Sequence, residues 1–145
     1  MISRRVLFGL AAGAAIVMAA GGAQLLGGTS SPIVGAAVAA EKSYYSNAAF
    51  AAAQAAGKPI LIDISASWCP TCRRQESILG TLTAKPKYND LVVLEVNYDT
   101  QKSVVRKLGA SRQSTLIVFL GSQEVGRSVA DTNPSSIEAM LDRTI

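Results

Sequence analysis

The chain has no histidine, only two cysteines and one tryptophan among its 145 residues, and only 17% of it is charged. Without histidine there is no imidazole acid–base chemistry, no cysteine–histidine protease pair and no zinc site of two cysteines and two histidines within one chain. Cys69 and Cys72 are left as the strong nucleophiles. Charge of one sign is scarce as well. The formal net charge is +4, and Arg4 and Arg5 supply two of those charges, so the part from Ala40 onward carries +2. No basic stripe with interleaved aromatics occurs, so nucleic acid is not an expected partner.

What is present begins with an export layout. Met1 to Arg5 is short and cationic, Val6 to Ala20 is continuously apolar, and Gly21 to Pro32 is a break bearing Gly, Ser and Thr. The small residues Ala37-Val38-Ala39-Ala40 offer cleavage after Ala39 or Ala40, just before the charged Glu41 and Lys42. Ser3-Arg4-Arg5-Val6-Leu7 resembles a twin-arginine signal, with Leu7 where Phe is commoner and Gly9 where Lys is often found. The alternative is an uncleaved anchor, because Val6 to Leu26 is long enough to span a bilayer. Either way the rest of the chain, 41–145, is expected as one domain in an oxidising compartment, periplasmic or held at the inner membrane.

Both cysteines fall in Lys58 to Arg74, KPILIDISASWCPTCRR. The apolar run Ile60 to Ala66 reads as a strand covered on both faces, with Asp63 set inside it. It feeds a Trp68-Cys69-Pro70-Thr71-Cys72 turn that opens a helix, so the first thiol sits where unpaired backbone N–H groups point outward. That position favours a thiolate, and a second thiol along the helix can resolve the mixed disulfide. Cys69 is therefore the expected attacking thiol and Cys72 the resolving one. A purely structural disulfide is the alternative, but a bridge closing so small a loop restricts the unfolded chain little.

Around this stretch the elements fall in the order βαβαββα behind a leading helix. Ser46-Asn47 caps an Ala-rich helix over 48–56 that stops at Gly57 and Pro59. Arg73 to Ala84 keeps helical composition, with Ile78, Leu79 and Leu82 as its apolar stripe. Leu91 to Tyr98 is a second strand and Thr100 to Leu108 a helix. Thr115 to Leu120 and Glu124 to Val129 form a hairpin about Gly121-Ser122. Asn133-Pro134 and a Ser135-x-x-Glu138 capping box begin a terminal helix bearing Ile137, Met140 and Leu141.

This succession, with WCxxC at the first strand-to-helix turn, resembles the thioredoxin family over nearly all of Ala48 to Ile145. The likeness rests on Asp63 six residues before the first cysteine, WCPTC itself, Val96-Asn97-Tyr98-Asp99, Ser114-Thr115, Gly121 and Glu124-Val125. It implies an α/β fold with a four-stranded mixed sheet, helices on both faces and the CxxC exposed at one end. The usual extra N-terminal strand has no candidate between Glu41 and Asn47. The resemblance further implies that Asp63 is the buried acid that takes and returns the Cys72 proton. Trp68, Pro70, Thr71, Ser114 and Thr115 would form the substrate-contacting surface, Trp68 lying over the disulfide.

Three departures from the family pattern stand out. The cis-proline that usually precedes the Thr facing the disulfide is Ser114, which either holds a costly cis peptide or relaxes to trans and reshapes the groove. The helix-kinking proline five residues after the second cysteine is Ser77. Where many thioredoxins have a lysine in the second strand, this chain has Glu95; pointed towards Asp63, it would leave one of the two carboxylates hard to ionise.

The function expected is an exported thiol:disulfide oxidoreductase. It would be monomeric, with no cofactor beyond a redox-active Cys69–Cys72 disulfide, and would act on disulfide-bearing proteins as a reductase fed by a membrane electron donor. Strong oxidants of this fold tend to carry His beside the second cysteine, where this chain has Thr71. One competing reading is a metal or iron–sulfur module in which two chains each lend a CxxC; another is a redox-inert binder that uses the groove alone.

Overall fold

The computed structural model describes Ala40 and residues 42–145, so apart from Ala40 the expected export segment lies outside the described residues. Among the described residues no helix is long and apolar enough to cross a membrane. Five strands, β1 (Lys42–Tyr44), β2 (Pro59–Ser65), β3 (Val92–Asn97), β4 (Thr115–Leu120) and β5 (Gln123–Val129), make one mixed sheet in the order β1-β3-β2-β4-β5. The helices are α1 (Asn47–Ala55), α2 (Pro70–Thr83), α3 (Lys102–Lys107) and α4 (Pro134–Leu141). β1, β3 and β2 run parallel; β4 is antiparallel to β2, and β5 to β4.

The fifth strand corrects the expectation of four. Lys-Ser-Tyr is three residues long with no residue buried, so it lacks the apolar alternation by which strands are read. It is extended because the edge of β3 offers a parallel partner: Lys42 pairs with Val93 and Tyr44 with Glu95, and the Tyr45 N–H donates to the Glu95 carbonyl at 2.8 Å.

Strand alternation divides the core between the two faces of the sheet. Ile60, Ile62 and Ile64 of β2 join Leu94, Val96, Ile117 and Phe119 in one apolar cluster, which also takes in Ala53 of α1 and Val105 of α3. Leu61 of β2 joins Val93, Leu116 and Val118 under Leu79 and Leu82 of α2 and Ile137, Met140 and Leu141 of α4. Each fully buried Ile or Leu contributes roughly 1.5–3 kcal/mol. The same period of two turns Asp63 towards α2, where an apolar residue would otherwise sit.

The helix ends follow local chemistry. The Ser46 hydroxyl accepts from the Ala49 N–H at 3.0 Å to start α1, and Gly57 leaves that helix with φ +66. α2 runs unbroken through Ser77. The expected Ser135–Glu138 capping box does not form. Asn133 is the N-cap of α4, its side-chain oxygen accepting from the Ser135 and Ser136 N–H groups, because Pro134 places the first helical residue two positions earlier than that box requires. Glu138 instead pairs with Lys85 at 2.6 Å and Lys87 at 3.0 Å, tying the helical turn Pro86–Tyr88 to α4.

Candidate active site

Cys69 is itself the N-cap of α2. With φ −86 and ψ 114 it is extended, Pro70 follows as first helical residue, and its Sγ accepts from the Cys72 N–H at 3.2 Å. Both cysteines are free. Neither thiol is exposed as expected: Cys69 is 3% and Cys72 6% accessible, because the Ser114 hydroxyl lies beside both sulfurs and Tyr98 packs against the Ala66–Cys69–Cys72 cluster.

The Ser114 Oγ stands 3.1 Å from Cys69 Sγ and 3.2 Å from Cys72 Sγ. Among the described residues no peptide bond is cis, and Ser114 has φ +58, so the chain has taken the trans alternative with a left-handed residue. The two thiols are thereby differentiated. Burial opposes ionisation of Cys69, but hydrogen bonds from the Cys72 thiol, the Ser114 hydroxyl and the backbone N–H groups of Cys72 and Thr71 outweigh it and lower its pKa. Burial, and then the hydrogen bond to Cys69, raise that of Cys72. Cys69 is thus the thiol that ionises first.

Beneath α2, Asp63 is 2% accessible and its Oδ1 has no hydrogen-bond partner in the protein. Burial raises its pKa to about 6; Lys42 pulls it down and Glu95 pushes it up again. The sequence reading anticipated the Glu95 carboxylate but missed Lys42. From β1, the Lys42 Nζ lies 3.0 Å from Glu95 Oε2, 3.4 Å from Glu76 Oε1 and 3.5 Å from Asp63 Oδ2. Burial raises the pKa of Glu95, yet the Ser65 hydroxyl at 2.6 Å and Lys42 outweigh it, and the net shift is downward. A cavity of about 470 Å³ has Lys42, Asp63, Cys72, Glu76 and Glu95 in its lining, so the buried acid and the second thiol share one space.

The other candidates lie around this centre. Trp68 is 56% exposed, its indole N–H donating to Asp99 Oδ2 at 2.9 Å. Pro70 and Thr71 open α2, and Thr115 begins β4 with its hydroxyl donating to the Arg112 carbonyl at 2.8 Å. Gln75, not singled out in the sequence between the charged Arg74 and Glu76, is wholly buried. Its position was available from periodicity: Cys72, Gln75, Leu79 and Leu82 are the buried stripe of α2.

The family model for Thioredoxin matches residues 41–143. The chain belongs to the thioredoxin family. Thioredoxin H4 of Arabidopsis thaliana is 32% identical over 89 residues, 61% of this chain and 73% of that protein. The thioredoxin of Chlamydia muridarum is 30% identical over 84 residues, 58% of this chain and 80% of its own length. Among solved structures, Trxlp from Edwardsiella tarda EIB202 is 48% identical with a TM-score of 0.68, covering 70% of this chain and 98% of that one. With two neighbouring thiols in this family, the protein is a thiol:disulfide oxidoreductase whose partners are disulfide-bearing proteins. The reading as a metal or iron–sulfur module gains no support from these relatives, which are thioredoxins.

Proposed function

We propose that this thioredoxin is an exported, monomeric reductase of protein disulfides, with no cofactor beyond its own dithiol. The observation that carries this reading is the asymmetry of the two thiols: Cys69 caps α2 with a lowered pKa, while that of Cys72 is raised above a cavity shared with Asp63. No imidazolium stands beside them to favour the thiolate strongly, which supports reduction over oxidation as the working direction.

Reduction proceeds by two exchanges. The Cys69 thiolate attacks one substrate sulfur; the substrate S–S bond breaks, a Cys69–substrate disulfide forms and one substrate thiolate leaves. Cys72 gives up its proton towards Asp63 and attacks Cys69 Sγ. The mixed disulfide breaks, the second substrate thiolate departs and the Cys69–Cys72 bridge closes. Two electrons have passed from the protein dithiol to the substrate, and a membrane-held dithiol donor returns two to reopen the bridge. Trp68, Pro70 and Thr71 form the docking surface beside the sulfurs; Ser114 and Thr115, expected there too, are buried beneath it because Ser114 packs on both sulfurs and Thr115 opens the inner strand β4. The twin-arginine-like leader and the small residues up to Ala40 support export to the periplasm, as a cleaved or anchored protein.

Insulin reduction by the purified protein, with its reduction potential measured against glutathione, tests the activity. Turnover together with a potential below that of the glutathione pool is expected. A bridge that stays reduced in oxidised glutathione would make the protein an oxidant instead. Intact mass of the exported fraction tests the leader: a chain beginning at Ala40 or Glu41 is expected, and retention of Met1 would make it an anchored protein.

A further inference from the structure

Ser114 and Ala130 are non-glycine residues with positive φ, +58 and +57. They stand one step beyond the last pair of the β4–β5 ladder, Thr115 with Val129, where the two strands part. A side chain in this conformation crowds the backbone and persists only where the surroundings hold it. At Ser114 the surroundings are hydrogen bonds to its carbonyl, from the Ala130 N–H at 2.8 Å and from Gln75 Nε2 at 3.3 Å. The same Gln75 nitrogen donates to the Asp131 carbonyl at 2.9 Å. One side-chain amide therefore spans both strand ends, each beside a left-handed residue, and spends both its hydrogens doing so.

Gln75 is fully buried, and its Oε1 has no partner in the protein. An apolar side chain of that volume beside Leu79 would avoid burying an unpaired oxygen. What the amide supplies instead is the tie to Ser114, whose hydroxyl touches both sulfurs. That hydroxyl has one hydrogen and two lone pairs. With Cys69 ionised and Cys72 protonated, the Cys72 S–H and the Ser114 O–H both donate to the Cys69 thiolate, while the Ser114 Oγ stays in contact with Cys72 Sγ.

We infer that Gln75 is a positioning residue of the redox centre, its buried amide holding the Ser114 backbone so that the serine hydroxyl bridges the Cys69 and Cys72 sulfurs. The inference deepens the exchange chemistry proposed above and rests on it. Its effect on the sulfurs is carried by the Ser114 backbone, with the Asp131 carbonyl as its second anchor.

The test uses Gln75→Met, which keeps the volume and removes the amide, and Ser114→Gly, which keeps the positive φ and removes the hydroxyl. On the reduced protein, the pH dependence of Cys69 alkylation by iodoacetamide reads the thiolate directly. Both variants should move that profile to higher pH by at least about half a unit, roughly a threefold change in the ionisation constant. The double variant should move it no further than Ser114→Gly alone. The potential against glutathione should fall in the same order, since a weaker thiolate destabilises the reduced form. If Gln75→Met does not fold, Gln75→Asn, an amide too short to span both carbonyls, carries the same comparison. An unchanged Cys69 profile in the Gln75 variant, or shifts that add in the double variant, overturns the inference. Failure of the wild type to exchange with glutathione would overturn the exchange reading instead, while the alkylation profile still reports on Gln75.

Discussion

Lys42 and Glu95 stand 3.0 Å apart on neighbouring parallel strands, and their pairing brings an ammonium within 3.5 Å of the buried Asp63. Glu95 holds the second-strand position where many thioredoxins carry a lysine. The cation here reaches the acid from the edge strand instead, and burial, which alone would lower the Lys42 pKa, is outweighed by Asp63, Glu95 and Glu76 so that it rises.

Lys42→Met removes the one influence that most lowers the Asp63 pKa. That pKa, about 6 with the lysine present, should rise further. The carboxyl carbon resonance of Asp63 followed against pH would read it, and a midpoint that falls or stays would show that Lys42 serves Glu95 alone.

Asp63→Asn should stabilise the protein at neutral pH. The folded-state pKa of about 6 lies above the ordinary 3.8, so between those values the native state binds the extra proton. Its stabilising effect is complete below about pH 4 and is lost as pH rises through about 6; by neutral pH the buried charge costs about 3 kcal/mol. Urea unfolding at pH 7 and pH 4 should show this difference in the wild type and lose it in the variant, while resolution of mixed disulfides slows. Equal stability differences in both proteins would place the pH dependence elsewhere.

Cys72→Ser should accumulate mixed disulfides with substrate, and Cys69→Ser should form none, because only a thiol that initiates can be trapped and only the second can release it. Non-reducing gels of protein exposed to a disulfide substrate decide the matter. The reverse pattern would exchange the two roles.

Gly126→Ala should cost about 1–3 kcal/mol through overpacking. A Cβ there would meet Met140 Cγ at 2.9 Å and Val118 Cγ2 at 3.0 Å, between β4 and α4. Thermal unfolding measures the loss, and an unchanged midpoint would mean that Met140 simply swings aside.

How much of this was legible in the sequence depended on how local the cause was. Ser46 and Gly57 bracket α1 through contacts a few residues away, and Cys69 caps α2 through its own neighbour Cys72, so these ends could be read directly. Asp63 announced itself as a charge inside an apolar strand. β1 did not, because Lys42–Tyr44 is extended only by virtue of its pairing with β3, some fifty residues away. Lys42 stayed hidden with it. Asn133 and Ser135 both stand at the start of α4 as good caps, and only the position of Pro134 in the helix separates them. Gln75 was obscured by its charged neighbours, Arg74 and Glu76, although the spacing to Leu79 and Leu82 put it on the inner face.

Since β1 opens at Lys42, the counter-ion of the buried acid sits on the first residue of the first strand among the described residues. Trimming after Ala39 or Ala40 would leave that lysine third or second in the mature chain. A shortened chain beginning at Ser46 would retain all four helices and both cysteines, and arrive with its acid uncompensated. The choice of first residue in any recombinant version is in this way also a choice about the charge that faces Asp63.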